Sequence, residues 1–271
     1  MSTQPWLKRL VSLTLDNVLS PADRLRLAYF ILNRENGEGI GDPLLNGEED
    51  LLDRLRPRLG PASVVFDVGA NIGEWTSSLA KGLPRGVTIY PFEPVPEIHA
   101  ALSANVAALE NVIPVQAALS DRTAEAEIHL AGRFAGSNSL HHIPGVTEGG
   151  VATIRLMRGD DFCRERGIDA IDLLKIDVEG NEVATLRGFE SLLAARKIGC
   201  VQFEYGGTWI ASRTFLADAF QLLARHGYRI ARIVPGGVRP LARYEPSMES
   251  FRYANYLAVN ERFRWLLEPA R

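Results

Sequence analysis

The stretch Val64–Trp75, VVFDVGANIGEW, carries a strand, a turn and a helix start in twelve residues. Val64, Val65, Phe66 and Val68 form an apolar, β-branched run of the kind that builds a buried strand. Gly69, Ala70, Asn71, Ile72 and Gly73 turn the chain, and the spacing predicts a helix over Glu74–Ala80. The first N–H groups of that helix face whatever sits on the turn, and small residues let a ligand approach the backbone. The segment is a candidate cofactor loop.

A dinucleotide loop needs G-x-G-x-x-G, whereas only Gly69 and Gly73 are present here. Asp67, at the end of the strand, is expected to repel a pyrophosphate and to suit a ligand with an ammonium group. S-adenosylmethionine has that chemistry.

Working outward, Thr88–Phe92 reads as a second strand ending in Glu93 and Pro94, with Glu93 placed for ribose hydroxyls. Val112–Gln116 reads as a third, followed by Ala117, Ala118 and Leu119, small and apolar enough to border an adenine ring. Ile171–Ile176 is a fourth, ending in Asp177, Val178, Glu179 and Gly180. Cys200–Phe203 is a fifth, ending in Glu204 and Tyr205. Because a ligand in an open α/β sheet lies outside the carboxyl ends of the strands, Asp67, Glu93, Asp177 and Glu204 are expected in one crevice.

The order DVGANIG, FEP, ALSD, GSNSL, KIDVEGNE resembles the FkbM-type methyltransferases, over about Asn46–Tyr205. The resemblance implies an α/β, Rossmann-like class I methyltransferase: a seven-stranded, mostly parallel sheet with an antiparallel last strand. It implies S-adenosylmethionine as cofactor and a hydroxyl as the usual acceptor, on a sugar, glycan or natural-product ring. It also implies that Ser137, Asn138 and Ser139 lie near cofactor or acceptor. The expected cofactor set is Asp67, Gly69, Ala70, Asn71, Gly73, Glu93, Pro94, Ala118, Leu119, Ser139 and Asp177.

Asp177 is the leading acceptor-side candidate, with Glu179 and Glu204 beside it in the expected crevice. Glu179 has a structural alternative as a first-turn helix acid. Three acids in one site could also hold a divalent cation such as magnesium. His141 and His142 titrate near neutrality, so either is a candidate base, and a surface pair is the structural alternative. Asp160 reads as the cap of a helix beginning beside it.

The 271 residues, 46% hydrophobic and 23% charged, suffice for one enzyme-sized domain with insertions. A net charge of −3 without a dense basic block argues against nucleic acid as a partner. Cys163 and Cys200 lack metal-ligand spacing, which suggests a reduced, cytoplasmic protein. No apolar run is long enough to span a membrane. Trp6–Leu19 and Ala22–Asn33 read as two helices of an N-terminal cap over residues 1–45, a possible homodimer contact, ahead of a catalytic domain over 46–271. Glu35–Glu49 joins them, either folded over the cofactor or as a surface linker. Ala126–Leu130 and Val151–Leu156 alternate like half-buried strands, Tyr228–Val234 and Tyr253–Val259 read as the sixth and seventh sheet strands, and Thr214–His226 as a helix closed by Gly227. The alternatives to an O-methyltransferase are an N-methyltransferase, a NAD-dependent oxidoreductase and a non-catalytic partner subunit.

Overall fold

The computed structural model describes residues 14–132 and 136–268. Among the described residues ten strands form two sheets: β1 (Val64–Val68), β2 (Thr88–Phe92), β3 (Ala118–Ser120), β4 (Ala124–His129), β5 (Val151–Arg158), β6 (Ile171–Ile176), β7 (Ile198–Tyr205), β8 (Arg229–Val234), β9 (Gly237–Pro240) and β10 (Ala254–Val259). The main sheet has seven strands in the order β2-β1-β6-β7-β10-β8-β9. Strands β2, β1, β6 and β7 run parallel. The last strand, β10, is antiparallel to both its neighbours, β7 and β8.

The expected third strand differs. Val112–Gln116 runs beside β2 but makes only two isolated bridges, Ile89 to Val112 and Phe92 to Val115. Ile113 and Val115 donate to the Ile89 and Pro91 carbonyls, but Pro91 has no N–H to return a bond to Ile113, so the ladder between these segments is interrupted. The seventh strand is instead β9, which returns along β8 through a turn at Pro235–Gly236. A second sheet, β3-β5-β4, stands apart and carries the insertion.

The helices that matter are α1 (Pro21–Asn36), α2 (Glu48–Leu55), α3 (Glu74–Ala80), α4 (Pro96–Asn105), α5 (Gly159–Arg166), α6 (Glu182–Gly188), α7 (Glu190–Ala194) and α8 (Leu216–Arg225). Alternation along the strands feeds two cores. Phe66, Leu174, Val201 and Tyr256 pack against α5, α6, α7 and α8 on one face. Val65, Leu173, Cys200 and Val259 meet α2, α3 and α4 on the other. On this second face, one step nearer the carboxyl ends, the aligned row becomes Asp67, Lys175 and Gln202. Polar side chains therefore replace the core where the sheet approaches its functional edge.

Of the expected first cap helix, Trp6–Leu19, residues 6–13 lie outside the described residues; residues 14–18 are helical. Helix α1 starts at Ser20, whose side chain accepts from the Asp23 N–H, and buries no residue. The connector after it is no plain surface linker. Glu38 pairs with Arg232 at 2.8 Å, and Asn46 and Glu48 are 1% and 5% exposed. Glu48 accepts from Gln202 at 2.7 Å and Asn255 at 2.8 Å, which stitches this arm to β7 and β10. Asp160 does not cap its own helix. It lies within α5 and accepts from the N–H groups of Ser191 and Leu192, at 2.9 and 3.2 Å, so it caps α7.

Candidate functional site

A cleft opens at the carboxyl ends of β1, β2 and β6. Gly69, Asn71, Glu93, Pro94, Ala118, Leu119 and Asp177, all expected from sequence, line it. Ile98, Ile128 and Leu140 add apolar surface, and Asn138, Glu179 and Asn181 add polar groups. The N–H groups of Gly69 and Ala70 both donate to the Phe92 carbonyl, at 3.1 and 2.9 Å, fastening the turn to β2. Asn71 adopts a left-handed conformation at φ 48°, and its buried Oδ1 has no hydrogen-bond partner. Such an orphaned acceptor beside a cleft invites a donor from a ligand.

Glu93 is 6% exposed and accepts from the Val95 N–H at 2.9 Å. Burial pushes its carboxyl up to about 7, against the pull of the Val95 and Asn71 N–H groups. Ala70 and Gly73 do not line the cleft. Ala70 is buried under the turn, and Gly73, at φ 86°, leaves room for Leu102, which a Cβ would meet at 2.6 Å. These two shape the loop from behind.

The expectation for Asp67 needs correction. It is fully buried and does not face the cleft. One oxygen accepts from Thr76 Oγ1 at 2.6 Å, and the other lies 3.3 Å from Lys175 Nζ. With its charge already paired, Asp67 is a strut beneath the loop and not a free carboxylate for an incoming ammonium. Nothing local marks Lys175 within the apolar run IDLLKI, because its partner Asp67 lies on another strand.

Asp177, Glu179 and Glu204 do converge, each offering an oxygen within 4.8 Å of the others. Glu179 is not in a helix. It sits in the turn before α6 at φ 54°, and Glu182 is the first-turn acid, accepting from the Val178 and Gly180 N–H groups at 3.0 Å. Burial, then the charges of Asp177 and Glu182, push Glu179 up to about 8 against the opposing pull of Lys175. Burial and the same like-charged neighbours hold Glu204 well above the ordinary carboxylate range. Glu179 and Glu204 are thus held toward their protonated forms, and protonated carboxyls are poor cation ligands.

The histidines lie elsewhere. His141 borders a separate depression with Ser120, Arg122 and Arg187, and burial, with His129 nearby, keeps it below its ordinary value. His142 stands 3.4 Å from Thr147 Oγ1 and against the His129 ring. Ser139 is fully buried, donating to the Glu179 carbonyl at 2.6 Å and accepting from the His141 N–H at 3.1 Å. It latches the insertion onto the acidic turn without facing the cleft.

Comparison with known proteins adds an independent observation. The chain matches the Methyltransferase FkbM domain over residues 67–230. It is 28% identical over 163 residues to the hexuronic acid methyltransferase AglP of Haloferax volcanii, covering 60% of this chain and 64% of that one. It is 27% identical over 175 residues to the 2-O-methyltransferase NoeI of Sinorhizobium fredii, covering 59% and 70%. It is 36% identical over 160 residues to the 31-O-demethyl-FK506 methyltransferase FkbM of Streptomyces tacrolimicus, covering 49% and 61%. The chain spans 61% to 70% of the length of these relatives.

Proposed function

We propose that this chain, which belongs to the FkbM methyltransferase family, binds S-adenosylmethionine in the cleft and methylates a hydroxyl of a sugar or natural-product intermediate. The observation that carries this reading is the cleft itself, where an orphaned Asn71 Oδ1, the buried Glu93 and apolar walls meet at the strand ends. Asn71 Oδ1 suits an ammonium, Glu93 suits ribose hydroxyls, and Ala118, Leu119, Ile98 and Ile128 suit an adenine face. The cofactor supplies a methyl group already activated on a sulfonium.

The residues of the chain then have two tasks. Aligning the acceptor and excluding water can supply effective molarities of about 10⁵–10⁸ M. A carboxylate oxygen of Asp177, which lines the cleft, takes the hydroxyl proton, a contribution of about 10²–10⁴-fold. An amine acceptor is the second reading, favoured by the same three acids. Calorimetry with S-adenosylhomocysteine and NAD tests the cofactor, and tighter NAD binding would refute the proposal. A screen of hydroxylated acceptors with labelled cofactor then tests transfer.

We also read residues 1–45 as a cap and 46–271 as the methyltransferase domain, a division supported by the absence of buried residues on α1. Leu25, Phe30, Ile31 and Leu32 are at least half exposed, which supports contact between two copies through this helix. Light scattering on the wild type and Phe30→Glu tests it; two equal monomer masses would refute it. No described helix is long and apolar enough to cross a membrane.

A further inference from the structure

Lys175 has no part in the steps above, yet it is 6% exposed and surrounded by charge. Its Nζ lies 3.3 Å from Asp67 Oδ1 and 3.1 Å from Asp177 Oδ2, and 5.4 Å from the centre of the Trp75 ring. Asp67 is its cross-strand partner on β1 and Gln202 its partner on β7. Burial alone would push the ammonium's pKa down, but Asp177, Asp67 and Glu48 together hold it above the ordinary lysine value. It is therefore a fixed cation.

Burying ions costs several kcal/mol each, and a hydrophobic row is often the more stable solution. One step deeper the same face uses Val65, Leu173 and Cys200. The two aspartates are also unequal. Thr76 and Lys175 occupy both oxygens of Asp67, whereas Asp177 meets Lys175 through Oδ2 and lines the cleft with its side chain 33% exposed. The ion pair thus points from a closed anchor toward an open site.

We propose that Lys175 is a positioning residue: anchored on Asp67, its ammonium orients the Asp177 carboxylate into the cleft and concentrates the negative charge of the acid cluster there. The role rests on the methyl-transfer reading, in which Asp177 stands on the acceptor side. The groups facing Lys175 are Asp67 from β1, Trp75 from α3, Glu48 from α2, Gln202 from β7 and Asp177 from its own strand. Those acting on the cluster are Lys175, Glu182 and Tyr253. Without the cation, the carboxyls share their protons with no preferred site for the charge.

The test uses the full chain with ¹³C-labelled carboxyl groups. The double variant Asp67→Asn with Lys175→Met removes both charges of the buried pair, so no unpaired carboxylate is left at position 67. NMR titration from about pH 5 to about pH 9 should show the cluster titrating about 1–3 pH units higher than in the wild type. Lys175→Arg should restore the wild-type midpoint, and affinity for S-adenosylhomocysteine should stay within about threefold in all three proteins. A folded double variant with an unchanged titration overturns the proposal. Should that variant not fold, the ¹⁵N signal of Lys175 Nζ in the wild type decides: it should follow the cluster midpoint, and indifference to pH overturns the role. Failure of the wild type to bind S-adenosylhomocysteine would instead refute the methyl-transfer reading, leaving these titrations to decide Lys175 separately.

Discussion

Gly69 sits directly against the backbone of Asp177, so close that a Cβ on the glycine would overlap the Asp177 carbonyl oxygen. The turn after β1 and the end of β6 are therefore packed as one surface. Gly69 also holds φ 85°, where an L-residue is strained. Gly69→Ala should destabilise the chain by about 2–5 kcal/mol, combining backbone strain and overpacking. Denaturant unfolding measures this, and S-adenosylhomocysteine affinity should fall with it. A variant of wild-type stability would show that the two segments part easily.

The buried carboxyls impose a pH dependence on stability. Glu93 and Glu182 are raised to about 7, Glu179 to about 8 and Glu204 well above its ordinary value, in each case first by burial. The folded chain therefore binds more protons than the unfolded chain from the ordinary value of 4.5 up to about 8. Their contribution to stability is fully present below that window and is lost as pH rises through the folded values. The melting temperature should fall between about pH 5 and about pH 8, and Glu93→Gln should flatten the slope. A melting temperature that climbs with pH would contradict this account.

Asp177→Asn keeps the shape of the side chain while removing its charge. Methyl transfer to an acceptor found by the labelled-cofactor screen should drop by about 10²–10⁴-fold. Cofactor affinity should change far less. Undiminished turnover would remove Asp177 from the acceptor side.

Asp160 offers a control outside the cleft. Asp160→Ala deletes the acceptor for the Ser191 and Leu192 N–H groups, a loss of about 1 kcal/mol for a helix cap. Thermal unfolding should record it, with S-adenosylhomocysteine affinity unchanged. An equal loss of affinity would tie α7 to the site.

A metal would announce itself through chelation. With Glu179 and Glu204 held toward their protonated forms, turnover should survive dialysis against EDTA. Activity lost to EDTA and restored by magnesium would reassign the trio as cation ligands.

Much of this architecture is legible locally. β1, α3, β2 and β6 begin and end where the apolar runs and the Gly69–Gly73 turn place them, because each is set by short-range alternation and backbone freedom. Departures arise where a distant partner decides the outcome. Val112–Gln116 has strand composition, but Pro91 across the ladder lacks the N–H that would complete it, which reduces the pairing to bridges. Glu179 stands where a helix acid was expected, yet Glu182 takes the turn's N–H groups. Asp160 caps a helix thirty residues onward.

The sequence by itself determined the fold class, the family and the acids at the strand ends, since these depend on periodicity, turn chemistry and motif order. Only the tertiary structure decided what each acid does. Asp67 and Asp177 look alike in sequence, each closing a strand. Lys175, brought between them by the pairing of β1 and β6, closes off one and leaves the other facing the cleft. A carboxylate's role depends on the charges and water around it, and those are set by residues more than 100 positions away.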